Sequence, residues 1–255
     1  MVVDEKYIFD RQDADLFLAE DRDLKARAIR CSLIPRLLEL ANAAIAEAAE
    51  LYGVEPLETA TVAYSPYRVE SRGGGFRYDC KSALAGLTPI RRKGAYPLLG
   101  KDRTIFPLNL RFLLDGRGLR VILYVDCTDD ICKTRLFDFF QQHEREVMAL
   151  MLSVRGEAHV TGAKHSVLHM FPCAVSEKAF ETAGRCTAYL LSRQFQYPID
   201  ESASRLLKHH FMRMYPVFHD VCMVAMGRED EFDLKQAMIT ALDYSQKCFE
   251  RNLTL

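Results

Sequence analysis

The chain has 255 residues, of which 49% are hydrophobic and 27% charged, so it can build a core of ordinary size without metal or disulfide staples. Its formal net charge is −1. The molecule as a whole therefore has no field that attracts nucleic acid or a membrane surface, and electrostatic recognition requires a local patch.

Eight cysteines are dispersed along the chain, and no two of them form a CxxC pair. This spacing argues against a zinc ribbon, and disulfide frameworks are typical of much shorter secreted chains. Most of the cysteines have apolar neighbours, where cysteine behaves as a small hydrophobic residue. We therefore expect reduced core cysteines and a cytoplasmic location.

The first 23 residues are acidic, with eight acids against three bases. They lack the basic and apolar regions of a signal peptide, and the apolar stretches of the chain are too short to cross a bilayer. The acidic segment is predicted to be a solvated arm or the first turn of a helix, where the helix dipole favours carboxylates.

A helix is predicted over residues 33–51, because leucine and alanine recur there at spacings of three and four. Pro35 fits the first turn of this helix, or it would kink a longer helix that begins near Asp23. Gly53 is a natural C-cap.

Four segments rich in β-branched and aromatic residues predict strands at 58–64, 76–90, 105–113 and 119–126. The sequence Asp-Gly-Arg-Gly at 115–118 predicts a tight hairpin between the last two. Asn109 and Arg111 alternate with apolar residues, so one face of this sheet is expected to contact water.

A second long helix is predicted from Thr128 to Gly156. Short strands are predicted at 158–161 and 166–173, followed by helices at 176–195, 201–227 and 229–252. Pro216 is expected to break or kink the middle one of these three helices.

This order of elements predicts an α+β fold with an N-terminal helix, an antiparallel sheet of about four strands flanked by helices, and a C-terminal helical subdomain. We predict a single domain. It would comprise an acidic arm at 1–23, a helix–sheet–helix core at 24–197 and the helical subdomain at 198–255.

The clearest chemical feature is a basic segment, residues 68–103, with nine bases against three acids, a balance of nine minus three, or +6. Aromatic residues are interleaved with these charges, a combination that suits phosphate contacts and base stacking. Two alternatives stay open: solvated loops that keep sheet edges soluble, and a docking surface for an acidic segment or another protein. The candidate phosphate contacts are Arg68, Arg72, Arg77, Arg91, Arg92 and Lys93.

The tripeptide Asp79-Cys80-Lys81 stands at the start of a predicted strand, with Glu70 nearby. This arrangement resembles the site of the PD-(D/E)xK nucleases, which hold Mg²⁺ and polarise an attacking water. The resemblance implies that Glu70 and Asp79 are metal ligands and that Lys81 orients the water. No Pro-Asp pair precedes the motif, and the alternative is an exposed ion pair at the entry to a strand.

Two weaker motifs define no site. Arg72-Gly73-Gly74-Gly75 lies between predicted strands, which favours a hairpin or bulge, since phosphate-binding loops lead into a helix. The histidine groups match no known metal-binding spacing, so no metal is assigned. These groups are His165, His169 and Cys173, then His209-His210 and His219-Asp220.

We therefore predict a non-catalytic module that binds nucleic acid or protein through residues 68–103, within a larger intracellular assembly and without a membrane partner. This module would need no cofactor. One alternative is a metal-dependent nuclease or phosphodiesterase that uses Mg²⁺ with Asp79, Lys81 and Glu70. Another is a small-molecule-binding protein with a pocket between the sheet and the helices.

Overall fold

A computed structural model describes residues 8–52, 59–64, 68–70, 76–78, 82–89, 108–127, 130–161, 167–170, 186–226 and 234–253. They form helices packed on an antiparallel sheet, which confirms the predicted α+β class. Within these ranges, every helix is too short or too polar to cross a membrane.

The N-terminal helices are α1 (Arg11–Leu16), α2 (Arg22–Ala28) and α3 (Ile34–Tyr52). A π-helical turn, Ile29–Leu33, joins α2 to α3, and the amide of Ile34 donates to the carbonyl of Ile29. Pro35 follows this turn and lacks an amide hydrogen. The widened turn is a recognised way to carry a helix past such an irregularity. The longer helix that begins near Asp23 is therefore the correct one of the two predicted alternatives.

Seven strands form the main sheet in the order β1-β4-β5-β6-β9-β7-β8, and all neighbours are antiparallel. Two further strands form a separate pair, β2-β3. The strands are β1 (Thr59–Tyr64), β2 (Arg68–Glu70), β3 (Phe76–Tyr78), β4 (Ser82–Pro89), β5 (Leu108–Asp115), β6 (Gly118–Cys127), β7 (Glu157–Thr161), β8 (Val167–Met170) and β9 (Cys186–Leu191).

The sheet differs from the prediction at two places. The predicted strand at 76–90 is two strands, β3 and β4, which belong to different sheets. The predicted helix at 176–195 is wrong for residues 186–191, which form β9 between β6 and β7. A short apolar run such as this one does not distinguish a strand from a buried helix by its period alone.

The remaining helices are α4 (Asp130–Gln142), α5 (Glu144–Ser153), α6 (Glu201–Met226) and α7 (Leu234–Leu253). Helix α6 is unbroken across Pro216, so of the predicted break or kink the break is wrong. Proline has no amide hydrogen for the carbonyl of Met212, four residues earlier. The hydroxyl of Tyr52 on α3 donates to this carbonyl at 2.8 Å. Helix α3 therefore supplies the hydrogen bond that a backbone amide at position 216 would otherwise donate.

One contiguous core joins the sheet to the helices. Helix α6 packs on β5 and β6, where the rings of Phe112 and Phe211 stack with their centroids 5.1 Å apart. Helix α3 packs on β4 and on α6. Helix α6, the first helix of the predicted C-terminal subdomain, therefore contributes to the same core as the sheet.

Part of the acidic N-terminal segment also belongs to this core. Phe9 and Phe17 are buried, and Phe9 pairs with Ile199 as an isolated antiparallel bridge. Asp13 is buried and forms an ion pair with Arg36 of α3. Of the two predicted alternatives, the acidic first turn of a helix describes Asp13 of α1, whereas a solvated arm does not describe the buried Phe9 and Phe17.

The turn between β5 and β6 has the predicted hairpin geometry. The carboxylate of Asp115 accepts hydrogen bonds from the amides of Arg117 and Gly118. Gly118 has φ +147°, and a Cβ there would lie 1.9 Å from the carbonyl oxygen of Phe195. A side chain is therefore excluded at this position, where the segment after β9 crosses the hairpin.

Candidate functional site

The sheet presents two chemically different faces. Leu108, Leu110, Phe112 and Leu114 of β5 are fully buried, and the alternating residues of β6 are equally buried beside them. Phe112 stacks on Phe211, so this is the face that α6 covers. Successive strand residues point to opposite faces, which assigns Asn109, Arg111 and Leu113 to the other one. We call this second side the polar face.

A tyrosine pair lies on the polar face. Tyr124 of β6 and Tyr189 of β9 are register partners, with ring centroids 4.9 Å apart and an interplanar angle of 41°. Tyr189 is 38% exposed, the largest exposure of any aromatic side chain among the described core-forming strands. An aromatic ring with an accessible face is a surface on which a planar ligand can stack.

The ladder geometry explains why these rings meet. The amide of Ser192 donates to the carbonyl of Val121 at 2.9 Å, which identifies these two residues as a hydrogen-bonded pair. Hydrogen-bonded and non-hydrogen-bonded pairs alternate along an antiparallel ladder. Tyr124 and Tyr189 are three positions further on and form a non-hydrogen-bonded pair, whose side chains lie closer together.

The tyrosine pair is the centre of a transverse row of register partners. From β5 to β8 the row reads Asn109, Tyr124, Tyr189, His159 and His169. Adjacent strands lie about 4.8 Å apart, so the row extends for roughly 19 Å across the sheet. Each of its residues carries an amide, a phenol or an imidazole, and no aliphatic residue interrupts it.

Two arginines also belong to the polar face. Arg111 is 1% exposed, and its register partner on β4 is Gly86, where a Cβ would lie 2.6 Å from the Cα of Arg111. Arg120 is half-buried, and its Nε has no hydrogen-bond partner within the described part of the chain. Guanidinium groups stay protonated in proteins, so these residues fix positive charge beside the tyrosine row.

A second polar group lies on α6, inside the core. Burial is the first cause that lowers the pKa of His210, to about 3, and the pKa of His209 is lowered chiefly for the same reason. Arg213 donates to the carbonyl of Ser153 at 2.7 Å and thereby joins α6 to α5. Burial raises the pKa of Tyr215 to about 12. These side chains are enclosed and joined to the core, which fits a structural role.

The topology divides the predicted basic segment into two groups. Strand β4 begins opposite Asp115 and ends beside Leu108, and it is roughly 25 Å long. The first group lies on or between β2 and β3, before β4 begins: Arg68, Arg72 and Arg77. The second group follows the other end of β4: Arg91, Arg92 and Lys93.

The second group follows β4 in the sequence, and Arg91 is two residues beyond Pro89. The C-terminal end of β4 lies at the end of the sheet that holds Asn109, the first residue of the row. Arg72, Arg91, Arg92 and Lys93 themselves lie outside the described residues, as do the side chains of Arg68 and Arg77.

The nuclease-like motif also lies mostly outside the described residues. Glu70 is the last residue of β2 and is the register partner of Phe76. Asp79 and Lys81 fall between β3 and β4 and are not described. Within the described ranges, no group of three His, Cys, Asp or Glu residues could hold a metal ion. The catalytic alternative therefore stays a prediction.

The histidine groups have different positions. His165 and Cys173 are outside the described residues, whereas His169 of β8 is the register partner of His159 of β7. On α6, His209 and His219 are ten residues apart, about 15 Å along the helix axis. That separation prevents these two side chains from sharing one metal ion.

Sequence reasoning missed the tyrosine pair. Tyr124 lies in a predicted strand, and its alternation with Leu123 and Val125 was a usable signal for the polar face. Tyr189 lies in the segment predicted as a helix, so its partnership with Tyr124 was not visible.

The comparisons with known proteins identify no relative. The chain matches no protein-family model, and it has no significant sequence match among curated proteins.

Proposed function

We propose that the protein is a non-catalytic module that binds single-stranded nucleic acid on the polar face of its sheet, within a larger assembly. The observation that carries this proposal is the pair Tyr124–Tyr189, with one ring 38% exposed on the face opposite α6. Aromatic side chains on an open sheet are a recurrent way to stack unpaired bases.

The dimensions of the polar face support this ligand. The transverse row is roughly 19 Å long, and single-stranded binding surfaces engage several consecutive nucleotides. Its two tyrosines carry hydroxyl groups that can form hydrogen bonds beside the stacking surface. A duplex would present its phosphates and groove edges to this row and would keep its bases stacked.

Charge near the row supports a polyanionic ligand despite the net charge of −1. Arg120 is half-buried on the polar face, and the basic residues 91–93 follow β4 in the sequence. The proposed phosphate contacts are therefore Arg91, Arg92 and Lys93, and the bases would stack on the tyrosine pair.

The test is fluorescence anisotropy with labelled single-stranded and double-stranded DNA and RNA, titrated with salt in the presence of EDTA. We expect single strands to bind more tightly than duplexes, with an affinity that falls steeply with salt. Tyr189→Ala should weaken binding about tenfold, because stacking on one aromatic ring contributes roughly 1–3 kcal/mol per base.

Two control variants make this test specific. Tyr189→Phe keeps the stacking surface and should bind within about twofold of the parent chain. Leu152→Ala changes an exposed residue of α5 and should leave binding unchanged. Equal affinities for Tyr189→Ala and the parent chain would refute the proposed site.

Adding Mg²⁺ to the same complexes tests the nuclease alternative. Cleavage that needs Mg²⁺ and is lost in Asp79→Ala would make the protein an enzyme. An intact oligonucleotide in the presence of Mg²⁺ would favour the binding module.

A further inference from the structure

Three arginines and a buried histidine meet beside the C-terminal turn of α5. Arg155 follows α5, Arg193 follows β9, and Arg213 lies three residues beyond His210 on α6. We call these four residues the arginine cluster. It shares no residue with the tyrosine row or with the basic segment 68–103, so it is a separate feature of the molecule.

Hydrogen bonds join two of the arginines to the turn that contains the third. The amide of Arg193 donates to the carbonyl of Val154 at 3.0 Å, so Arg193 lies beside the turn of Arg155. The guanidinium of Arg213 donates to the carbonyl of Ser153 at 2.7 Å, on the same turn. Side chains from three distant parts of the chain are therefore held around one end of α5.

The ring of Phe195 contacts both Arg193 and His210. The Cζ atom of Arg193 lies 5.3 Å from the centroid of Phe195, and the centroid of His210 lies 5.6 Å from the same point. Burial is the first cause that lowers the pKa of His210, followed by nearby positive charges, which are those of His209 and of all three arginines. The guanidinium groups are thus close enough to act on the buried imidazole.

The cluster holds positive charge without a counter-charge. Arg155 and Arg193 are exposed, and neither forms an ion pair within the described part of the chain. His210 is 7% exposed, and its buried Nδ1 atom has no hydrogen-bond partner among the described residues. Like charges held together, and a buried polar atom without a partner, both disfavour the folded state.

The backbone at Arg155 supports a use for its side chain. Arg155 has φ +47°, a left-handed conformation that glycine adopts more readily at the end of a helix. The amides of Arg155 and Gly156 donate to the carbonyls of Leu152 and Met151, which fixes the turn. Non-glycine residues in such conformations are concentrated at ligand-binding and active sites.

We infer that the arginine cluster binds a phosphate group, carried by a small anion or by the backbone of a nucleic acid. Guanidinium groups match phosphate oxygens in charge and in the fork geometry of their N–H donors. A bound phosphate balances the positive charge and offers an oxygen to an Nδ1–H of His210. The inference does not depend on the proposed function, because the cluster and the tyrosine pair have no residue in common.

The rival explanation is a structural role for the same arginines. Cations near the C-terminus of α5 interact favourably with the helix dipole, and this interaction needs no ligand. It predicts that loss of the arginines lowers the melting temperature equally with and without phosphate. A phosphate site predicts a stabilisation that depends on the phosphate concentration.

The experiment measures the melting temperature of the full chain during titration with inorganic phosphate, at an ionic strength held constant with sodium chloride. At about ten times the Kd, phosphate should raise the melting temperature by roughly 3–6 °C. Arg155→Gln/Arg193→Gln removes two charges from exposed side chains and should lose most of this rise. Calorimetric titration with phosphate should show an affinity that is lower by about tenfold or more in this variant.

Oligonucleotide binding distinguishes the two sources of phosphate. An anisotropy titration in which Arg155→Gln/Arg193→Gln binds as tightly as the parent chain assigns the cluster to small phosphate compounds. A loss of about tenfold in the same titration assigns it to a backbone phosphate.

Arg30→Gln/Arg205→Gln is the matched control, because it removes two exposed arginine charges outside the cluster, on the π-helical turn and on α6. It should keep the full rise in melting temperature with phosphate. An equal rise in the parent chain and in Arg155→Gln/Arg193→Gln would be a general salt effect and would overturn the inference. A parent chain that phosphate does not stabilise would overturn it as well.

Discussion

Gly86 shows how closely one residue position can be determined by its neighbours. A Cβ at Gly86 would lie 2.2 Å from the carbonyl oxygen of Leu110, and backbone atoms in the centre of a sheet cannot move aside cheaply. The close approach of β4 and β5 places Arg111 opposite a residue without a side chain. The buried position of Arg111 and the absence of a Cβ at its register partner Gly86 are therefore linked by the close approach of β4 and β5.

Gly86→Ala should destabilise the protein by roughly 2–3 kcal/mol, because the added methyl group overpacks the sheet at a backbone contact. Urea denaturation monitored by circular dichroism measures this change. Gly116→Ala is the matched control: its nearest contact is the Cβ of Phe17 at 3.5 Å, an ordinary van der Waals distance. A Gly86→Ala variant as stable as Gly116→Ala would contradict the close approach of the two strands.

His210 makes stability depend on pH. Burial lowers its pKa to about 3 in the folded protein, whereas an unfolded chain has a histidine pKa of about 6.5. The neutral imidazole is thus favoured by folding. This contribution is complete above about pH 6.5 and is lost as the pH falls towards 3.

Between pH 7 and pH 5 the unfolding free energy of the His210→Phe variant should fall by about 2 kcal/mol less than that of the parent chain. Phenylalanine is uncharged at both pH values and can keep the ring contact with Phe195, whose centroid lies 5.6 Å from that of His210. The measurement is the difference in unfolding free energy at the two pH values. An identical difference in the parent chain and the variant would refute the assignment to His210.

At the scale of elements, the contact between α3 and α6 compensates for a proline inside a helix. Tyr52→Phe removes the hydroxyl that donates to the carbonyl of Met212 and should cost about 1 kcal/mol or somewhat more. Pro216→Ala restores a backbone amide that can donate to the same carbonyl. The cost of Tyr52→Phe should therefore be smaller by about 1 kcal/mol when Pro216→Ala is also present.

A second tyrosine gives the control for this double-mutant cycle. The hydroxyl of Tyr197 donates to the carbonyl of Asp115, also at 2.8 Å, but far from Pro216 in the fold. The cost of Tyr197→Phe should be the same with and without Pro216→Ala. If both tyrosine variants responded equally to Pro216→Ala, the compensation between α3 and Pro216 would be disproved.

The elements also show what the sequence could predict. The hairpin from β5 to β6 follows from alternating apolar residues and a turn sequence that contains glycine, and both signals are local. Helix α3 follows from its apolar period. The continuity of α6 and strand β9 depend on distant partners such as Tyr52, Ile122 and Leu123. Sequence-local reasoning contains no information about those partners.

The candidate site was less predictable than the fold. The basic residues were recognisable as a charged run, but the strand β4 that separates them into two groups along the chain is located only by the structure. Tyr124 and Tyr189 are 65 positions apart in the chain, 189 minus 124, and meet through the register of β6 and β9. Composition alone is enough to predict the basic segment, whereas the stacking surface of the tyrosine pair can be identified only from the order and register of the strands.

At the scale of the whole molecule, this division allows a direct test of where the nucleic acid binds. Arg91→Glu/Arg92→Glu reverses charge in the group that follows β4 in the sequence and should weaken binding about tenfold or more. The salt dependence should also fall, by about 1.4 in log–log slope for two lost phosphate contacts on a single strand.

Arg72→Glu/Arg77→Glu makes the same change in charge in the group that precedes β4 in the sequence, and it should alter affinity by less than about threefold. Anisotropy titrations at three or more salt concentrations measure both variants. Equal losses in the two double variants would indicate a field spread over the whole segment instead of a site at the tyrosine row.

Strand β9 lies between β6 and β7, although β7 and β8 precede it in the chain. During synthesis on the ribosome, residues 122–127 of β6 therefore lack their partner strand β9 while the intervening 58 residues are made, 186 minus 127 minus 1. At ordinary translation rates this takes roughly 3 to 12 seconds, during which the nascent chain carries an open sheet edge. A chain terminated before residue 186 would keep that edge, and we expect it to aggregate under conditions in which the full chain stays monodisperse.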